Sequence, residues 1–188
     1  GLPAFVATVA AIPGVREVSM TTNGPRLAAS ARELAGAGLR RVNVSLDTLD
    51  PERFRALTRG GRVEEALVGI DAALAAGLAP LKLNSVLRRS SFRDDVPALL
   101  TLAAKKGVEV RFIELMQTGT EAAWAAAERV TGASVRAWLV SEGARVTPLP
   151  DRPSAPARRR SIERDGQTSV TGWIDPVSPA FCDDCGRL

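Results

Sequence analysis

The chain has 188 residues, of which 45% are hydrophobic, and its 25 basic and 21 acidic residues give a net charge of +4. A chain of this length and composition can bury a sizeable core, which excludes a disordered protein and a disulfide-stapled miniature. The small charge excess includes no long basic block, so it does not indicate a nucleic-acid partner. No segment approaches the roughly 18 consecutive apolar residues of a membrane span. With only two cysteines, we expect a cytoplasmic, soluble protein.

Helices and strands alternate along the first part of the chain. Residues 1–14 lack a basic region and predict an amphipathic helix ended by Pro13-Gly14, which argues against a signal peptide. Three later helical patterns each end at a glycine expected in the left-handed conformation, and each is followed by a short apolar run; these glycines are Gly38, Gly77 and Gly107. With VREVSMTT after Gly14, the pattern predicts four strands in a parallel sheet, either doubly wound or part of a barrel.

This alternation ends after Met116. The sequence then predicts a helix around Ser134 to Ser141, a loop rich in proline and arginine over residues 148–160, and a strand pair around 158–163 and 168–174. No linker separates this part from the rest, so it is expected to be a C-terminal segment of a different kind.

Polar side chains occupy one face of three predicted strands, which is unusual for a parallel sheet covered by helices on both sides. The apolar faces carry Val42, Val44, Leu46, Leu81, Leu83, Val110 and Phe112, and the opposite faces carry Asn43, Ser45, Asp47, Lys82, Asn84 and Arg111. The pattern favours a barrel whose interior holds a polar ligand. The alternative is that these groups pair with one another inside a packed core.

Short motifs follow three of the strands at their carboxyl ends, where barrel enzymes place their chemistry. They are TTNG at 21–24, SLD at 45–47 and ELM at 114–116. Asp47 and Glu114 are candidates for an acid/base pair, but no activated nucleophile or histidine accompanies them, so we favour a structural or ligand-positioning role. No GxxxxGK[ST] loop is present, so a bound nucleotide would lie in a cleft and not on a P-loop.

The final stretch FCDDCGRL places Cys182 and Cys185 in a Cys-x-x-Cys pair, which is half of a metal site. A zinc ribbon needs four ligands, and the chain has no other cysteine and no histidine. A thioredoxin-type dithiol is disfavoured because such pairs open a helix near the start of the fold. The ARRR run at 157–160 lacks interleaved aromatic residues, so we interpret it as a solvated loop and not as a nucleic-acid contact.

These motifs also resemble the GTP 3',8-cyclase family, known as molybdenum cofactor biosynthesis protein A, among the radical S-adenosylmethionine enzymes. The resemblance rests on TTNG, VNVSLDTLDPERF, KLN, VEVRFIELM and PVSPAFCDDCGRL, and it is weakest between Thr118 and Thr168. RFIELM and the late FCxxC followed by Arg-Leu are its most specific parts. The resemblance implies an α/β fold, with a partial TIM-like barrel over residues 1–117 and a C-terminal extension bearing a small β segment over 118–188.

The resemblance also implies roles for individual residues. Ser45 and Met116 match positions that contact S-adenosylmethionine, and Thr21 and Lys82 match positions that contact GTP. Cys182 and Cys185 match cysteines that hold an auxiliary [4Fe–4S] cluster, and Arg187 and Leu188 belong to a stretch that touches GTP. Family members use S-adenosylmethionine and two [4Fe–4S] clusters to cyclise GTP at the start of molybdenum cofactor biosynthesis.

Departures from the family pattern limit what this stretch of sequence is expected to do alone. The CxxxCxxC loop of the first cluster is absent, Gly186 stands where the family has asparagine, and the third auxiliary cysteine is missing. We therefore expect a fragment, inactive by itself, of a parent that uses GTP and an electron donor and forms a homodimer, without nucleic-acid or membrane partners. The alternatives are a peptide-modifying radical enzyme with an auxiliary cluster and an inactive nucleotide-binding homologue.

Overall fold

The computed structural model describes residues 1–116, 122–151 and 155–178, which divide into two compact units, Gly1–Leu83 and Asn84–Leu188. The first unit contains α1 (Leu2–Ala10), β1 (Val18–Thr22), α2 (Leu27–Gly36), β2 (Leu39–Ser45), α3 (Pro51–Leu57) and α4 (Val63–Ala75), and β3 (Lys82–Val86) begins in it. The second contains α5 (Phe92–Lys106), β4 (Glu109–Ile113), α6 (Ala122–Glu128), α7 (Gly132–Ser141), β5 (Arg145–Pro148), β6 (Arg158–Arg164) and β7 (Gln167–Ile174). The four strands expected from the repeated pattern are thereby confirmed.

In the first unit the strands lie in the order β1, β2, β3, and β1 runs parallel to β2 with Thr21 opposite Asn43. The predicted alternation of β2 is confirmed, since Val42 and Val44 are fully buried while Ser45 is exposed. Among the described residues β1 has β2 as its single neighbour, so this part of the sheet is open. An open parallel sheet with intervening helices is what a partial barrel predicts.

Helices α2 and α4 pack closely because of a glycine in α4. A Cβ atom at Gly69 would lie 2.3 Å from the carbonyl oxygen of Gly24, in the turn between β1 and α2. The predicted helix-ending glycines all have positive φ, at 104° for Gly38, 75° for Gly77 and 64° for Gly107, which confirms their assignment. These turns send the chain directly from each helix into the next strand.

The second unit is a mixed sheet with the strand order β4, β7, β6, β5. Strand β4 is parallel to β7, while β7 and β6 form the predicted antiparallel pair, with residue 172 opposite 159. Strand β5 and helix α6 were not predicted from the sequence. The interpretation of 157–160 as a solvated loop was wrong, because Arg158, Arg159 and Arg160 pair with β7 as part of β6, and Ala157 is buried.

Aromatic residues form the centre of the second unit. The ring centroids of Phe112 and Trp173 lie 5.0 Å apart, and Trp173 is 1% exposed. Phe92 and Trp138 meet edge to face at 5.3 Å. Among the described helices, none is both long enough and apolar enough to cross a membrane.

Candidate functional site

A polar strip lies at the carboxyl ends of β1 and β2 in the first unit. Thr21 and Ser45 are both exposed, and Asn43 between them donates a hydrogen bond from Nδ2 to Thr21 Oγ1 at 3.4 Å. The opposite face of β2 is buried under the helices, so the polar face is the one that a ligand can reach. The structure thus brings together two residues predicted to bind ligands, Thr21 and Ser45, on one accessible face.

The second threonine of the TTNG motif has a structural role. Thr22 Oγ1 accepts a hydrogen bond from the Gly24 amide at 3.2 Å, and the Gly24 carbonyl accepts one from the Leu27 amide at 2.8 Å. Gly24 has φ of 98°, a region that side chains other than hydrogen rarely tolerate. The motif therefore makes the tight turn from β1 to α2 and leaves Thr21 available for a ligand.

A second capped turn follows β2. Thr48 is fully buried and its Oγ1 accepts the Asp50 amide at 3.0 Å, while Asp50 Oδ1 accepts the Arg53 amide at 2.7 Å and caps α3. Pro51 at the first helical position suits this start. The TLDPERF stretch thus fixes the chain immediately after Ser45 and Asp47, which supports a rigid site at this end of β2.

Lys82, predicted to contact GTP, opens β3 and is 4% exposed. Its neighbours Leu81 and Leu83 are also buried, at 2% and 0% exposure. A buried ammonium group is expensive unless it is paired, and Lys82 has such an interaction within the protein. The structure therefore places Lys82 in an interior position and not on the outer surface.

Arg111 was expected to face a ligand, but the described residues show it paired within the protein. Its Nε donates to Glu109 Oε1 at 3.0 Å, and both side chains are 8% exposed. Arg159 Nε lies 3.4 Å from Glu109 Oε2. Gly172, opposite Arg111 in β7, leaves room for this cluster, because a Cβ there would lie 3.1 Å from Arg111 Cγ. The alternative of mutually paired polar groups is correct for this strand.

Glu114 directly follows β4 and is a buried carboxylate with 1% exposure. Its Oε2 accepts two backbone hydrogen bonds, from Val177 at 3.0 Å and from Ser178 at 3.1 Å. This arrangement agrees with the structural role that we favoured for Glu114. Met116, two residues later, is 51% exposed, so its thioether can be reached by a ligand.

The loop after β3 is bound to the end of α6. Glu128 Oε2 accepts hydrogen bonds from Ser90 Oγ at 2.7 Å and from the Ser90 amide at 3.1 Å. Arg89 donates from its amide to the Glu128 carbonyl and from its guanidinium to the Arg129 carbonyl. The Ser90 hydroxyl, opposed by partial burial, lowers the pKa of the Glu128 carboxyl below its ordinary value of 4.5.

We expect this contact to weaken in acid. A carboxyl whose folded pKa is lowered contributes stability that is present above pH 4.5 and is lost as the pH falls through the folded pKa. Unfolding measured between pH 3 and 7 should therefore show a small acid-dependent loss that is reduced in Glu128→Gln. The exposed Glu142→Gln serves as control, and identical pH profiles for Glu128→Gln and the unsubstituted chain would contradict the assignment.

Cys182, Cys185, Arg187 and Leu188 lie outside the described residues. Within residues 1–116, 122–151 and 155–178, no group of three or more histidine, cysteine, aspartate or glutamate side chains could hold a metal ion. The predicted ligands of the auxiliary cluster are therefore not tested by the structure.

Sequence reasoning missed several residues that shape these sites. Glu109 lies two positions before Arg111 on the same strand face, so the period of two could have identified it. The Thr48–Asp50 cap also had a signal, since aspartate before proline is typical of a helix start. The pairing of Arg159 with Glu109 joins distant parts of the chain and had no local signal.

Two family models match the chain in succession. Residues 2–103, more than half of the chain, match the model described as Radical SAM superfamily. Residues 108–188 match the model described as Molybdenum Cofactor Synthesis C. Together the two matches include nearly all of the residues discussed above.

Similar proteins align with the whole chain. It is 41% identical over 188 residues to GTP 3',8-cyclase 1 of Pseudomonas aeruginosa, covering 100% of this chain and 56% of that protein. It is 42% identical over 189 residues to GTP 3',8-cyclase of Heliobacterium modesticaldum, covering 100% of this chain and 57% of that protein. GTP 3',8-cyclase of Pelotomaculum thermopropionicum is 41% identical over 190 residues, covering 100% of this chain and 58% of that protein. The chain thus spans a little over half the length of these relatives.

Proposed function

We propose that this chain, which belongs to the radical S-adenosylmethionine superfamily, is the substrate-binding part of a GTP 3',8-cyclase. The single observation that carries the proposal is the succession of the two family matches, a radical S-adenosylmethionine segment followed by a molybdenum cofactor synthesis segment. Relatives that bear the cyclase name align with the chain from end to end, which supports the same function. The family resemblance inferred from the motifs is confirmed by these matches.

The proposed reaction converts GTP to (8S)-3',8-cyclo-7,8-dihydroguanosine 5'-triphosphate at the start of molybdenum cofactor biosynthesis. S-adenosylmethionine and a reduced iron–sulfur cluster would supply the radical chemistry, with electrons from an external donor. The residues of this chain would bind and orient the nucleotide and keep water away from it. We further propose that the parent protein is a homodimer with two [4Fe–4S] clusters.

Within this proposal Thr21 and Lys82 contact GTP. Thr21 lies on the exposed polar face of β1, and its Oγ1 has a fixed neighbour in Asn43. Lys82 is interior, and a phosphate or purine oxygen brought to it would be held in a medium of lower polarity than water, which strengthens the interaction.

Ser45 and Met116 are proposed to contact S-adenosylmethionine. Both are exposed. Ser45 ends β2, shortly before the hydrogen-bonded turn at Thr48, and Met116 lies two residues after Glu114, whose carboxylate accepts the Val177 and Ser178 amides. The chemistry of Ser45 and Met116 fits a sulfonium cofactor with a polar amino-acid end, because a hydroxyl can bond the polar groups and a thioether suits apolar contact.

Four residues beyond the described range complete the proposal. Cys182 and Cys185 would hold two irons of the auxiliary [4Fe–4S] cluster, and Arg187 and Leu188 would touch GTP. Thiolates are the usual ligands of such clusters, and a guanidinium clamps phosphate oxygens in a fixed geometry.

Binding of GTP to the chain, with its flanking sequence restored from genomic DNA, tests the proposal. We expect Lys82→Met to weaken GTP binding about 10- to 100-fold, because a hydrogen bond to a charged group contributes about 1.5–3 kcal/mol. The exposed Lys105→Met, in the last turn of α5, should bind GTP like the unsubstituted protein. Equal affinities of the two variants would exclude Lys82 as a GTP contact.

The cluster part of the proposal has a separate test. Anaerobic reconstitution of the extended protein should give iron for two clusters, and flanking DNA should encode an upstream CxxxCxxC and a cysteine shortly downstream of Leu188. Iron for one cluster alone, or flanking sequence without these cysteines, would count against a GTP 3',8-cyclase.

A further inference from the structure

The hydroxyl of Thr21 lies beside the side-chain amide of Asn43 on the polar face of the first unit. The two residues are directly opposite each other in the parallel pair of β1 and β2. Opposite residues on neighbouring strands share one face of the sheet, so their side chains lie within reach of each other. Asn43 Nδ2 donates to Thr21 Oγ1 at 3.4 Å. Asn43 can therefore influence how the Thr21 hydroxyl is oriented.

The strand keeps Asn43 on this face. Val42 and Val44, on either side of it, are fully buried on the opposite face, while Asn43 is half-buried. Because side chains alternate along a strand, turning Asn43 to the other face would bring both valines out of the core. Asparagine is depleted in strands, so strand formation does not account for its presence in the middle of β2. These observations favour a role on the polar face.

The direction of this hydrogen bond limits what Thr21 can bind. An amide nitrogen only donates, so the Thr21 oxygen is the acceptor in this bond. A hydroxyl has one proton of its own, and that proton is left for a group that accepts it. A ligand group at Thr21 is therefore expected to be an acceptor, such as a phosphate or carbonyl oxygen, and not an amino group.

We infer that Asn43 is a positioning residue, which orients the Thr21 hydroxyl to donate to an oxygen of the nucleotide. The inference rests on the proposed function, in which Thr21 contacts GTP. Ser45, proposed to contact S-adenosylmethionine, lies on the same face of β2, two residues or about 6.6 Å further along the strand. The effects of Asn43 on the two ligands can therefore be measured separately.

Two substitutions of Asn43 separate the donor from the bulk. Asn43→Leu keeps the size and removes the donor. Asn43→Asp keeps the size and replaces the donor with an acceptor, which draws the Thr21 proton away from the ligand. The control is Gln167→Leu, which removes an exposed side-chain amide from β7 in the second unit. Thermal unfolding identifies any variant that fails to fold, and Asn43→Ser then replaces Asn43→Leu.

The first readout is the dissociation constant of GTP, measured by titration calorimetry on the protein with its flanking sequence restored. Asn43→Leu should raise it about three- to tenfold, the effect of losing one typical hydrogen bond, and Asn43→Asp should raise it at least as much. Gln167→Leu should leave it unchanged. The dissociation constant of S-adenosylmethionine should be unaffected by Asn43→Leu. Unchanged GTP affinity in Asn43→Leu, or a loss confined to S-adenosylmethionine, overturns the inference.

A double-variant cycle tests whether Asn43 acts through Thr21. In a Thr21→Val background, which lacks the hydroxyl, Asn43→Leu should change GTP affinity by less than about twofold. In a Thr21→Ser background, which keeps the hydroxyl, Asn43→Leu should retain its full effect. Equal losses in the Thr21→Val and unsubstituted backgrounds would refute the inference, because Asn43 would then act independently of the hydroxyl.

The same measurements distinguish this inference from the proposed function. If Lys82→Met weakens GTP binding and Thr21→Val does not, the Thr21 contact and the inference are wrong, while the proposed cyclase function is retained. If the unsubstituted protein does not bind GTP, the proposed function is wrong and the inference with it.

Discussion

Replacing Glu109 with alanine is expected to lower the free energy of unfolding of the second unit by about 3–5 kcal/mol, because it leaves a buried guanidinium without its partner. Glu109 holds Arg111 at 3.0 Å and lies 3.4 Å from Arg159, and the Arg111 side chain is 8% exposed. Without the carboxylate, two cations would remain close together in an environment that hydrates them poorly. Their mutual repulsion adds to the cost of burial.

The measurement can be confined to the unit that contains the cluster. All three tryptophans, Trp124, Trp138 and Trp173, belong to the second unit, so their fluorescence during urea unfolding follows that unit. The control is Glu163→Ala, which removes the exposed partner of Arg145 and should cost less than about 1 kcal/mol.

A double variant tests whether the cost comes from the unpaired charge. Adding Arg111→Met to Glu109→Ala should recover part of the lost stability, since an apolar side chain of similar length replaces the stranded guanidinium. If the two side chains acted independently, adding Arg111→Met to Glu109→Ala would lower the stability further, by the full cost of Arg111→Met alone. That result would contradict the prediction.

The alternation of Val42 to Ser45 predicted which face of β2 is buried, because a strand period of two depends on local sequence alone. The glycines at 38, 77 and 107 likewise marked helix ends, since a left-handed residue is a local requirement. The strand pair β6–β7 was also predicted, because strand patterns and the turn signals around them are local in sequence. These features need no knowledge of distant contacts.

Pairing between distant residues could not be predicted in this way. Arg111 has the pattern of a ligand-facing residue, yet Glu109 and Arg159 occupy its neighbourhood, and Arg159 comes from a run that we interpreted as a loop. A charged residue on an inner strand face satisfies the same pattern whether its partner is a ligand or another side chain. Only the tertiary structure distinguishes the two.

The candidate site likewise combines features that the local sequence predicts with features that depend on the tertiary structure. The exposure of Thr21 and Ser45 follows from strand period and position, and it agrees with the sequence interpretation. The double acceptance of the Val177 and Ser178 amides by Glu114 depends on β4 and β7 lying side by side. Glu114 and Val177 are 63 residues apart in sequence, so no local pattern indicates the contact. The ligand roles of Lys82 and Met116 stay predictions.

Replacing Trp173 with alanine is also expected to cost about 3–5 kcal/mol, through lost burial and the cavity that remains. Trp173 is 1% exposed, packs on Phe112 at 5.0 Å, and donates from Nε1 to Thr171 Oγ1 at 2.9 Å. Trp124→Ala is the matched control, because that tryptophan is 46% exposed and its loss removes a contact with Arg88 expected to contribute less than about 1 kcal/mol. Unfolding is followed by circular dichroism, since the substitution removes a fluorophore.

The same substitution should loosen the turn that Glu114 holds. Arg136 lies over the Trp173 ring and pairs with Asp175, so removal of the ring leaves Arg136 free to move and weakens the Arg136–Asp175 ion pair at the start of that turn. Residues that share such a network do not contribute independently, so the cost of Glu114→Leu should be smaller in the Trp173→Ala background than in the unsubstituted chain. Additive costs within about 0.5 kcal/mol would show that the Arg136–Asp175 pair and the Glu114 hydrogen bonds stabilise the turn separately. The ring at position 173 would then stabilise the core without influencing the hydrogen bonds of Val177 and Ser178.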